Sequence, residues 1–170
     1  MRNSVLQYQH GVSAWRNPIK WGFEANEETF DHGIARYKLF KLQLYNKLQD
    51  TALSGQPLAP QVSESDCRKL VTDYLKALKA SFELQVQALY PESFIHGNLE
   101  SECIVTVPAI WSPNHKNITR MCAIDAKLGS ATTIRIIKEP EAAGLYALHT
   151  MRDSNLRERD TFVICDAGGG

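Results

Sequence analysis

A chain of 170 residues can bury one full-sized core or two small ones, and its 44% apolar and 22% charged residues are ordinary for a soluble globular protein. Nineteen Lys and Arg balance nineteen Asp and Glu, so no net field favours nucleic acid or an anionic membrane surface. No apolar run approaches the ~20 residues that span a bilayer, and the first eight residues lack the apolar core of a secretory signal.

Residues 1–25 read as a β-hairpin. Residues 5–9 form a first short strand, Arg16-Asn17-Pro18 supplies turn chemistry, and residues 19–25 alternate apolar with polar. That alternation puts Trp21 and Phe23 on one face of a strand, where they serve as core; a ligand platform is the alternative. Residues 26–49 complete a β-rich region in which two periods compete. Phe40, Leu42 and Leu44 fit a strand, while Tyr37, Phe40, Leu44 and Leu48 fit a helix; the preference falls slightly on a strand through Leu44. Residues 50–62, rich in Ser, Gly, Pro and Gln, read as an exposed loop.

A long helix is expected over 63–90, opened by Ser63 with Asp66 three residues on and closed before Pro91. Cys67, Leu70, Val71, Tyr74, Leu75, Leu78 and Phe82 recur at three and four and predict an inward stripe. Asp73, Lys76 and Lys79 take the solvated face.

From 102 the pattern becomes β-α-β-α-β through residue 170. Residues 103–107 predict a buried strand stopped by Pro108. Ser112-Pro113 starts a helix that runs to Leu128 and is closed by Gly129. Residues 133–137 are a second strand, Pro140 opens a second helix through Leu148, and residues 161–165 are a third strand. Such a run implies a largely parallel sheet with right-handed crossovers, whose ligands bind beyond the carboxyl ends of the strands. Pro108, Glu139 and Asp166 each follow directly on a strand end and are candidates for one shared site.

The cysteines, Cys67, Cys103, Cys122 and Cys165, stand too far apart in sequence for a zinc knuckle or a redox pair. They read as reduced, buried, structural thiols in an intracellular protein, with a cytoplasmic location expected. The last stretch, Cys165-Asp166-Ala167-Gly168-Gly169-Gly170, leads an apolar strand into an acid and three glycines. Glycines let backbone N–H groups approach a bulky anion, and a neighbouring carboxylate can hold Mg²⁺ through water. The same residues also fit a plain tight turn.

Three stretches together resemble the nucleotide-binding domain of the heat-shock protein 70 family, in the actin-like ATPase superfamily. They are Val105-Thr106-Val107-Pro108-Ala109, then Arg135 through Ala143 with its Lys138-Glu139-Pro140-Glu141 centre, then Cys165 to Gly170. Ile110-Trp111 and Trp21-Gly22-Phe23-Glu24-Ala25 resemble the divergent, non-chaperone-like branch of that family. The resemblance implies an α/β chain with the actin-like, ribonuclease H-like fold: a mixed sheet with flanking helices, first lobe only. It implies that Asp166 with Gly168, Gly169 and Gly170 forms the second phosphate loop, facing Mg²⁺ and the terminal phosphates of ATP. Glu139 then positions Mg²⁺-bound water, and Pro108 relays nucleotide status. Lys116 stands where the family has its relay arginine and lacks that residue's bidentate fork. Lys41 is the candidate for the catalytic lysine near the γ-phosphate, and Glu141 replaces the usual threonine. The family's first phosphate loop, an Asp-x-Gly-Thr-Thr hairpin, has no counterpart among these residues, nor has the second lobe with its adenosine pocket.

The expectation is therefore a fragment of a heat-shock 70-like ATP-binding protein, whose complete parent hydrolyses ATP with Mg²⁺. The alternative is a nucleotide-independent interaction module that keeps the fold. A dinucleotide-binding reading is disfavoured, because Asp-Ala-Gly-Gly-Gly is not G-x-G-x-x-G. The expected partner is a nucleotide, with no nucleic acid and no membrane; protein clients and co-chaperones cannot be read from these residues.

Overall fold

The computed structural model describes residues 5–9, 18, 20–26, 34–44, 62–92, 101–150, 157 and 159–165. Most of the 50–62 loop, the Arg16-Asn17 part of the first turn and residues 166–170 lie outside them. The described residues form a mixed α/β structure with two small sheets and flanking helices.

The first sheet has β1 (Val5–Gln9) in the centre, with β2 (Lys20–Trp21) and β3 (Ile34–Lys38) antiparallel on either side. A central strand is hydrogen-bonded along both edges, and Val5, Leu6, Gln7 and Tyr8 are all buried. The Gln7 amide donates to the Ala25 carbonyl at 2.9 Å, so a buried polar side chain satisfies the backbone of the 3-10 turn Glu24–Asn26.

Two expectations fail here for the same kind of reason. The second strand stops at Trp21 because Gly22 takes a left-handed conformation (φ 62°) and donates its N–H to Val5 at 3.0 Å. Phe23 therefore leaves the face that Trp21 occupies and is 75% exposed. The strand preferred through Leu44 likewise ends at Lys38. Leu39 turns left-handed (φ 55°), and the chain enters a single helical turn, α1 (Phe40–Gln43). Beyond the joint the helical spacing holds, since Phe40 and Leu44 are both buried.

Helix α2 (Glu64–Leu89) begins where Ser63 Oγ accepts the Asp66 N–H at 3.1 Å and ends with Tyr90 N–H donating to Val86. Cys67, Leu70 and Val71 are buried, and Tyr74 and Leu75 pack at the core's edge. The stripe does not continue inward: Leu78 is 45% and Phe82 58% exposed. Asp73, expected in solvent, is buried. Tyr8 donates its phenol proton to Asp73 Oδ2 at 2.9 Å, and the Lys69 ammonium lies 2.5 Å from the same oxygen. A buried carboxylate requires such partners.

The second sheet pairs β4 (Cys103–Val107) with β5 (Ile134–Lys138) in parallel, joined by α3 (Pro113–Asp125). Ser112 caps α3 and Pro113 occupies its first turn, as the sequence predicts. The stop differs. Lys127, not Gly129, takes the left-handed position (φ 61°). Lys127 N–H donates to Ile124 and Leu128 N–H to Ala123, the paired bonds of a Schellman ending. Helix α4 (Glu139–Thr150) opens at Glu139, one residue before Pro140, and extends past Leu148.

Strand β4 is not buried on both faces, since Ile104 and Thr106 are exposed while Val107 is fully buried. Residues 161–165, expected as a third strand, join no sheet among the described residues. They run instead beside α4 at Gly144, where an added Cβ would fall 2.6 Å from Ile164 Cδ1. Cys67 and Cys122 are buried as expected, but Cys103 is half-buried and Cys165 exposed. One apolar cluster joins β1, α1, α2, β4, the turn after β4 and α3 through Leu6, Phe40, Leu70, Val107, Trp111 and Ile118. Among the described residues no helix is long and apolar enough to cross a membrane.

Candidate functional site at the carboxyl rim of the parallel strands

The register Val107↔Lys138 fixes where the site lies. Pro108 and Glu139 each follow one of these partners, so both stand at the same carboxyl rim. From Pro108 the chain makes a tight turn, closed by Trp111 N–H donating to the Pro108 carbonyl at 3.2 Å. Trp111 is only 4% exposed. Ser112 caps α3 immediately after it, and its hydroxyl lies 2.7 Å from His115 Nδ1.

Lys41 reaches this rim from a different part of the chain. Its predecessor Phe40 is buried in the core, and the Phe40 carbonyl accepts the Cys67 thiol proton at 2.9 Å. Burial pushes that thiol up to about 12, which keeps it a protonated donor. With α1 held in this way, Lys41 Nζ lies 2.6 Å from Glu139 Oε1, a pair separated by 98 positions. The same ammonium sits 5.9 Å from the centroid of the Trp111 ring. The two side chains are 26% and 23% exposed, so the pair is partly withdrawn from water.

The neighbouring Glu141 has a separate task. Lys138 donates its backbone N–H to Glu141 Oε2 at 3.1 Å, and its ammonium lies 3.5 Å from Glu141 Oε1. This is the returning half of a capping box at the start of α4. That backbone hydrogen bond, then the Lys138 charge and the more weakly felt charge of Lys116, hold the Glu141 carboxyl below its usual range. Glu141 is thus accounted for by local helix chemistry.

The structure brings together three of the residues singled out from sequence: Pro108, Glu139 and Lys41. Lys116, on the first turn of α3, contributes only a weak charge effect at Glu141. Asp166, Gly168, Gly169 and Gly170 lie outside the described residues. Sequence reasoning missed Trp111 as a contact of Lys41. The available signal was its place three residues after Pro108, inside the turn that the strand end demands.

Chemically, the rim offers one ammonium that can donate to an anion and one carboxylate that can accept from water. Among the described residues no three His, Cys, Asp or Glu converge as a metal site. No family model, curated protein or solved structure matches the chain.

Proposed function

We propose that this chain is most of the first lobe of a heat-shock protein 70-like ATP-binding protein with the actin-like fold, and that the complete protein hydrolyses ATP with Mg²⁺ in the cytoplasm. The observation that carries the reading is the Lys41–Glu139 pair, closed at 2.6 Å across 98 positions on the rim that also holds Pro108. Three residues to which the family resemblance gives phosphate, water and relay roles lie on one rim of the sheet. Parallel sheets bind ligands at that rim.

Phosphoryl transfer needs positioned charge more than covalent chemistry. Lys41 would donate to a phosphate oxygen, and Glu139 would accept hydrogen bonds from water. Bound Mg²⁺ supplies charge neutralisation on the phosphate oxygens. Glu139 would face it through water, because Mg²⁺ keeps several waters and takes few protein ligands. Asp166 and the three glycines enter this reading through the resemblance alone.

One observation favours a second reading, a nucleotide-independent interaction module. The Lys41 ammonium is already neutralised by Glu139, so an incoming anion must compete with a carboxylate at 2.6 Å. Calorimetric titration with Mg-ATP and a phosphate-release assay separate the two readings. They are run on the 170-residue chain and on a longer chain that adds the first phosphate loop and the second lobe. The expected result is no turnover by the short chain, turnover by the longer one, and its loss in Asp166→Asn and Glu139→Gln. Failure of both chains to bind nucleotide would leave the interaction module.

A further inference from the structure

Lysine has a flexible four-carbon stem and a compact, strongly hydrated head, so a single ion pair leaves it free to pivot. Lys41 has a second contact. Its ammonium stands 5.9 Å from the Trp111 ring centroid, on a ring that is 4% exposed. A cation within about 6 Å of an aromatic face is attracted by the ring's quadrupole, most strongly by tryptophan. Both ends of this contact are anchored. Trp111 is tied by its own N–H to Pro108, and Phe40, beside Lys41, belongs to the same apolar cluster as Trp111.

We infer that Trp111 is a positioning residue whose indole face holds the Lys41 ammonium against Glu139. The turn after β4 therefore sets where the rim's cation stands. Its consequence for nucleotide binding rests on the reading of Lys41 and Glu139 as a phosphate-handling pair; the placement itself does not.

The test is NMR of the full 170-residue chain carrying ¹³C-labelled lysine. The Lys41 signals are assigned by their disappearance in Lys41→Arg. The ring current of Trp111 moves the Lys41 ε-protons upfield. That shift is expected in the unaltered chain, reduced in Trp111→Phe and absent in Trp111→Leu, which fills the site without a ring face. The ring current reports only that the ring is near, so positioning is read from the NOEs between the Lys41 ε-protons and the Glu139 γ-protons, which are expected in the unaltered chain and weakened in Trp111→Leu. An ordinary lysine shift in the unaltered chain, or Lys41–Glu139 NOEs of unchanged strength in Trp111→Leu, overturns the inference. Should Trp111→Leu not fold, the same comparison in Trp111→Met decides.

Mg-ATP titration of the longer chain supplies the second arm. Trp111→Leu should weaken binding about three- to tenfold, the size of one cation–π contact, and Trp111→Phe should restore most of it. Trp111-dependent Lys41–Glu139 NOEs without nucleotide binding sustain the placement and remove the ATP reading. Nucleotide binding with Lys41 at the ordinary position sustains the ATP reading and removes the placement.

Discussion

Lys41 and Glu139 meet where water is partly excluded, and that sets the strength of their contact. Exposed ion pairs contribute ~0–1 kcal/mol, whereas removing one partner of a buried pair leaves an uncompensated charge and costs several kcal/mol. At 26% and 23% exposure this pair falls between those limits. A double-mutant cycle with Lys41→Met and Glu139→Gln should give a coupling of about 1 kcal/mol in urea unfolding, discounted for the residual solvent. A coupling within error of zero would show that the contact contributes no stability. At this scale the sequence was unevenly legible. Pro108 and Glu139 were found because each directly follows an apolar strand, and strand ends share a rim. Lys41 was found only through resemblance, since nothing local tells a lysine which acid lies 98 positions away. The burial of Asp73 is hidden for the same reason: its partner Tyr8 lies 65 positions away in the sequence.

Helix α2 shows what a period can and cannot say. Its apolar spacing marks a stripe along the whole element, and the bounds and N-cap follow from local chemistry. Spacing carries no information on how far a covering partner extends. At about 1.5 Å per residue, the 26 residues of α2 span roughly 39 Å, while five-residue strands span roughly 17 Å. The helix outruns the sheets, so Leu70 is fully buried while Leu78 and Phe82 are exposed two and three turns later. Leu70→Asp should therefore place an unpaired charge in the core and abolish cooperative folding. Leu78→Asp should cost less than about 1 kcal/mol, because it exchanges an exposed side chain for another. Thermal melts of the two variants decide; equal loss in both would mean that α2 is covered along its full length. The end of α3 was opaque for a related reason. Glycine at 129 is the residue that helix-stop statistics favour, yet the left-handed turn falls on Lys127, where the capping bonds to Ala123 and Ile124 close.

The same buried groups that join the two sheets make the whole molecule sensitive to alkali. Tyr8 on β1, Cys67 on α2 and Cys122 on α3 all belong to one apolar cluster. Burial raises the proton affinity of each, with the Asp73 carboxylate adding to the effect at Tyr8. Cys67 moves from the ordinary 9.0 to about 12. Between those values the folded state keeps a proton that the unfolded state gives up, so stability falls as pH rises. Below pH 9 the contribution of Cys67 is constant, and by pH 12 the loss reaches on the order of 4 kcal/mol from this thiol alone. Set against a typical domain stability of about 5–15 kcal/mol, and with Cys122 and Tyr8 acting in the same direction, such a loss should unfold the chain in alkali. Urea midpoints measured from pH 7 to pH 11 should stay level to about 9 and then fall. Cys67→Ala should lower the plateau, because a buried side chain is truncated, and make the alkaline limb shallower, because one ionisation is gone. A midpoint that stays level through pH 11, or an alkaline slope unchanged in Cys67→Ala, would show that this thiol is open to water and that the cluster joining the sheets is looser than its packing indicates.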